Sequence, residues 1–97
     1  MAVIVNAIWT VIPGREDAVR SALSRLAPAT REEPGNLFYQ PYWDPQAPNV
    51  LRIFEVYRDQ DALDAHGQSE HFQEYVLGAA LPNLESRIRE TYETVDV

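Results

Sequence analysis

Cysteine and lysine are both absent from this chain of 97 residues, and no apolar run approaches the length that spans a bilayer. Without cysteine there is neither a disulfide framework nor a thiolate metal site, so packing alone must hold the fold. No glycine-rich phosphate loop is present. The only histidines, His66 and His71, stand five residues apart, not at the i, i+4 spacing that sets two ligands on one helical face. No metal, flavin or haem is therefore expected. Met1 to Val5 is apolar but lacks a basic lead and a long hydrophobic core, so it reads as a strand and not a secretory signal, which predicts a cytoplasmic protein. Positive charge is scarce as well. Eight arginines face 15 acidic residues, and the net charge of −7 repels nucleic acid and anionic membranes. An apolar or aromatic small molecule is compatible with that balance.

The length allows one domain over 1–97, which buries only about 60–65% of the surface of its unfolded chain. Ala2 to Ile12 is β-branched and free of turn residues until Pro13-Gly14, the mark of a long strand. Ala18, Val19, Ala22, Leu23 and Leu26 then recur at helical spacing, and the helix is expected to end near Pro28 to Thr30. After the turn Glu33-Pro34-Gly35 comes the aromatic segment Leu37 to Trp43, with Pro41 suggesting an edge or a bulge. A loop over Asp44 to Asn49 leads to a third strand, Val50 to Tyr57. Asp59 can cap a helix carrying Ala62, Leu63 and Ala65, and Ser69 a second piece carrying Phe72, Tyr75, Val76 and Leu77. Ile88 to Val95 alternates and forms the fourth strand.

The order βαββαβ is that of a ferredoxin-like α+β domain, with two helices on one face of a four-stranded antiparallel sheet. Side-chain alternation puts Val3, Val5, Ala7, Trp9 and Val11 on one face of the first strand and Ala2, Ile4, Ile8 and Ile12 on the other. The second strand sets Leu37, Tyr39 and Trp43 against Phe38 and Tyr42. The third sets Leu51, Ile53 and Tyr57 against Val50, Phe54 and Val56. Both faces are apolar, yet two helices cover only one. A second copy of the chain is the simplest cover for the other, which predicts a homodimer.

Several segments now carry a resemblance: Pro13-Gly14-Arg15-Glu16-Asp17, Glu32-Glu33-Pro34-Gly35, Phe54-Glu55-Val56-Tyr57, and Ala62-Leu63-Asp64-Ala65-His66 followed by Ser69-Glu70-His71-Phe72. In this order the chain resembles the antibiotic biosynthesis monooxygenase family of dimeric α+β barrels, in its quinol-monooxygenase-like branch. The resemblance implies a pocket between sheet and helices in each subunit of a dimer. It also implies oxidation of a phenolic, quinol or polycyclic aromatic small molecule by O2 without a cofactor, since an electron-rich phenolate can pass an electron to oxygen itself. A non-catalytic ligand-binding protein, or an isomerase or cyclase-type enzyme using the same pocket, is the alternative on this fold. Haem-degrading relatives use an asparagine, a tryptophan and a histidine. Aligned on Pro13-Gly14, those positions are Ala7, Tyr57 and Val76, with Asn6 on the opposite face, so haem degradation is set aside.

Candidate site residues follow from chemistry and strand parity. A phenol titrates near pH ~10, so a base must help to ionise it at neutral pH. Without lysine, the histidines, carboxylates and tyrosines remain. His66, at the end of its helical turn, is the expected proton acceptor, and Glu55, on one strand face with Tyr57 that the resemblance implies is the helix-covered side, could hold its ring. These three are the catalytic candidates; Trp9, Tyr39, His71, Phe72 and Tyr75 are the substrate-binding ones, with His66 or His71 at the pocket mouth. Competing structural readings exist: an ion pair of Glu55 with Arg52 or another arginine at the strand end, core filling by Trp9 and the tyrosines, and a solvated strand edge for Arg87, Arg89, Glu90 and Glu93.

Overall fold

A computed structural model describes all 97 residues. Strand β1 (Val3–Val11) occupies the second place in a sheet ordered β2-β3-β1-β4, every neighbour antiparallel. Its odd residues are buried and its even ones half-buried, the alternation expected of a strand with helices on one side only. Helix α1 (Glu16–Arg31) follows the Pro13-Gly14 turn, where Gly14 takes a left-handed φ of 94° that a side chain would resist. The helix runs through Pro28 and stops just beyond the expected end. Val19, Leu23 and Leu26 face the sheet, and the Arg31 guanidinium donates to the Tyr39 carbonyl at 2.7 and 3.0 Å, tying the helix end to the next strand.

Strands β2 (Asn36–Asp44) and β3 (Ala47–Tyr57) form a hairpin around Pro45-Gln46, tighter than the loop expected over Asp44 to Asn49. Asn36 pairs with Tyr57 and Phe38 with Val56, so Leu37 is the extra residue of a bulge. That bulge removes Leu37 from the buried face on which alternation alone put it, and leaves it exposed. Asp59 caps helix α2 (Gln60–Gln68) by accepting from the Ala62 amide at 2.8 Å. Ser69 both receives the end of α2 and accepts from the Phe72 amide at 3.2 Å. The next segment, α3 (Phe72–Ala80), is wound as a π-helix, a form that recurs at functional sites. A short 3₁₀ turn (Leu81–Asn83) leads into β4 (Leu84–Glu93), which begins and ends earlier than the sequence suggested. Thr94 bonds back to Ala2 through the backbone at 2.9 Å.

The core lies between α1, α3 and the odd-numbered face of β1, with Trp9, Leu26, Leu51, Ile53 and Val76 at its centre. A second cluster of Val3, Val5, Tyr57, Ala62 and Leu63 seats α2. Ile4, Ile8, Phe54 and Val56 remain on the opposite face, beside exposed Phe38, Tyr42, Ile88 and Tyr92. The four strands and three helices form a ferredoxin-like α+β fold. No helix is long and apolar enough to cross a membrane.

Candidate functional site

The site begins with a small residue. On the helix-covered face Ala7 stands between Ile53 of β3 and Arg89 of β4, while the next row holds Trp9 between Leu51 and Arg87. Large neighbours around a single methyl leave a cavity of about 10 Å³, enough for one water-sized group. Ala7, Trp9, Tyr39, Glu55 and Arg87 line it from the sheet, with Arg89 at its exposed end. His66 closes it from α2, and Phe72 and Val76 from α3.

His66 is buried and held between two carboxylates. Its Nδ1 lies 2.7 Å from Glu33 Oε2, and its Nε2 3.9 Å from Glu55 Oε1. Glu33 comes from the turn before β2, which is pressed onto α2, and the same Oε2 lies 2.5 Å from His71 Nε2. The Tyr57 hydroxyl donates to Glu55 at 2.7 Å, and its ring centroid is 5.2 Å from that of His66. A continuous hydrogen-bonding and charge-linked path thus runs from Tyr57 through Glu55, His66 and Glu33 to His71. Burial raises the Glu55 carboxyl above its ordinary range, against the opposing pull of the Tyr57 hydroxyl and of His66. Burial, together with the neighbouring Glu55, also raises the Tyr57 and Tyr39 hydroxyls, so both stay protonated at neutral pH.

The placement of the candidates divides clearly. Trp9, Tyr39, Glu55, His66 and Phe72 meet at the cavity; Tyr57 lies fully buried behind Glu55, and His71 lies outside, partly exposed, against Glu33. Tyr75 does not line the cavity, contrary to expectation. It packs, partly buried, at the edge of the main core. A π-helix turns about 80° per residue instead of about 100°, so the third residue after Phe72 is carried away from the cavity and the fourth, Val76, into it. The ion pair of Glu55 with Arg52 is also not formed. Arg52 lies on the other face of β3 and reaches Asp44 at 3.4 Å.

Three participants were not nominated from sequence. Glu33 was visible only as part of a turn. Arg87 and Arg89 were assigned to a solvated edge together with Glu90 and Glu93, but both arginines line the cavity, and the Arg87 guanidinium sits 5.4 Å from the Phe72 ring. Alternation in β4 carries the signal, because Ile88 and Tyr92 take the opposite face. Asn6 stands on that opposite face as expected, while Ala7 and Val76 both reach the cavity.

Glu33, His66 and His71 also offer ligand atoms within 4.8 Å of one another, the number of protein ligands an open catalytic metal site uses. The histidine spacing could not reveal this, because the third ligand comes from a turn far away in sequence. Any divalent ion held by this chain's histidines would sit there. The direct approach of one carboxylate oxygen to both rings is equally the geometry of shared protons.

Comparison with known proteins gives this geometry a family. Residues 1–77 match the family described as antibiotic biosynthesis monooxygenase. An uncharacterized protein of Synechocystis, sll1783, is 33% identical over 66 residues, 68% of this chain, and the chain spans less than half (45%) of that relative's length. Among solved structures, Rv0793 from Mycobacterium tuberculosis superimposes with a TM-score of 0.91 at 28% identity, covering 100% of this chain and 98% of its own. A solved antibiotic biosynthesis monooxygenase matches with a TM-score of 0.90 at 26% identity, covering 97% and 99% of the two chains. With its family match spanning most of its length, from β1 through β3 and α2 into α3, the chain belongs to the antibiotic biosynthesis monooxygenase family.

Proposed function

We propose that this protein is a cofactor-independent monooxygenase that oxidises a phenolic or quinol-type aromatic with O2. The observation that carries this reading is His66, buried at the cavity wall with a carboxylate at each ring nitrogen. With Nδ1 donating to Glu33, Nε2 is the lone-pair nitrogen, on the side of Glu55 and the cavity. That nitrogen takes the phenolic proton, and the two carboxylates stabilise the imidazolium. The phenolate then gives one electron to O2; the resulting radical and superoxide combine at a ring carbon, and loss of water from the peroxide leaves a quinone. One oxygen atom enters the product and the other leaves as water. The protein's part is to ionise, position and desolvate the substrate. Only a water-sized group fits inside the cavity, so the ring lies toward its solvent-open end at Arg89.

The apolar sheet face supports a working homodimer, since the three helices all pack on the other face of the sheet. The same relay would also serve proton abstraction beside a carbonyl, as in an isomerase. Oxygen consumption separates the two. Purified protein treated with a chelator, given a panel of hydroquinones and anthrones, should consume O2 above the buffer rate with at least one of them. Absence of uptake across the panel, or uptake that requires an added metal, overturns the reading.

A further inference from the structure

Two buried N–H donors at this cavity have no hydrogen-bond partner: Trp9 Nε1 and Arg87 Nε. Their residues stand directly opposite each other on β1 and β4, so both side chains rise from one row of the sheet. Leaving a buried donor unpaired is costly, and two at one cavity indicate that an acceptor belongs between them. Arg87 and Arg89 follow each other on the same face of β4, and neither has a carboxylate within ion-pair distance. Glu55, at the other end of the cavity, is engaged with Tyr57 and faces His66.

We propose that Trp9 Nε1 and Arg87 Nε form a two-donor cradle for one negatively charged oxygen of an aromatic ligand, the oxygen of an ionised phenol. This rests on the reading of the cavity as the substrate site and names the groups that hold the substrate's charged oxygen. Size, charge and donor count agree. The volume of about 10 Å³ admits one oxygen and no ring. Two unpaired guanidiniums favour an anion over a neutral water, which would satisfy the donors but not the charge. Burial and the adjacent Arg89 disfavour the charged form of Arg87 more than Glu55 and Tyr39 favour it, and an anion at the donors adds to the favourable side. The cradle thus stabilises the charge that His66 creates when it removes the proton.

The test is calorimetric titration with 4-nitrophenol, at a pH where it is ionised, against 4-nitroanisole, which has the same ring and no acidic proton. Wild type should bind the phenolate at least about tenfold more tightly than the ether, the worth of hydrogen bonds to a charged group. Arg87→Gln and Trp9→Phe, each checked by circular dichroism, should lower phenolate affinity about tenfold and leave the ether unchanged. Should Trp9→Phe misfold, Arg87→Gln on the edge strand carries the comparison. Equal affinities for the two ligands, or a phenolate affinity unmoved in Arg87→Gln, would mean that the donors hold only a buried water. If oxygen uptake persists in that event, the cradle falls and the monooxygenase reading stands. If neither ligand binds and no quinol drives oxygen uptake, both fall.

Discussion

A Cβ placed on Gly35 would lie 2.3 Å from the Cβ of Ala62, so the turn before β2 and the first turn of α2 meet with no room for a methyl group between them. The Arg58 amide donates to the Gly35 carbonyl at 2.8 Å and locks the same junction. This contact brings Glu33, two residues earlier, against His66 and His71. Gly35→Ala should therefore cost about 1–3 kcal/mol by overpacking. The thermal midpoint of a domain this size should fall by about 4–8 °C for each kcal/mol. An unchanged midpoint would show that the junction yields easily.

His66→Ala should reduce quinol-dependent oxygen uptake by about a hundredfold or more, the usual cost of removing a general base. His71→Ala, which removes a group outside the cavity, should cost much less. Tyr75→Phe should leave turnover unchanged, because Tyr75 is turned away from the cavity. Near-full activity in a folded His66→Ala protein would assign the proton to Glu55 or to the substrate's own acidity.

The buried Glu55 gives stability a pH dependence of known sign. Its carboxyl titrates above its ordinary range in the folded protein, because burial disfavours the charge. The native state thus holds this proton more tightly than the unfolded chain does. The contribution is full in acid, below the unfolded value, and is lost as pH rises through the folded one. Glu55→Gln keeps an acceptor for the Tyr57 hydroxyl and removes the ionisation. Melting at pH 4 and pH 8 should show the variant gaining on wild type at the higher pH. A constant difference between the two proteins would place the Glu55 titration outside this window.

Light scattering after size exclusion should return twice the chain mass. A charge placed at the centre of the uncovered sheet face, as in Ile8→Lys, should shift the protein toward monomer and lower its stability, because that face would then meet water. A stable wild-type monomer at micromolar concentration would contradict the homodimer.

Strand parity carried most of what could be seen without coordinates. Alternation in β1 and β3 sorted Trp9, Glu55 and Tyr57 onto one face, the family resemblance implied that this face is the helix-covered one, and they are there, because a strand with one covered face leaves no freedom of parity. Helical periodicity did less well. It placed Tyr75 beside Phe72 by assuming α winding, and nothing local in the segment Phe72–Ala80 announces its wider turn. Leu37 failed for a similar reason, since one bulged residue reverses the parity before it. Glu33 depends on contact between elements distant in sequence, which spacing cannot express. The arginines of β4 were legible and were misread: their charge suggested solvent, while the apolar Ile88 and Tyr92 had already claimed the opposite face.

The hydrogen bonds between Ala2 and Thr94 bring the two ends of the described chain to one corner of the sheet, where the Met1 amino group lies 3.9 Å from the Asp96 carboxylate. Closing that gap takes only a short linker, so the fold is open to circular permutation with new ends cut at the exposed Pro45-Gln46 hairpin, neither residue of which lines the cavity. The cavity would survive the change, since its strands and helices keep their neighbours whichever residue is synthesised first.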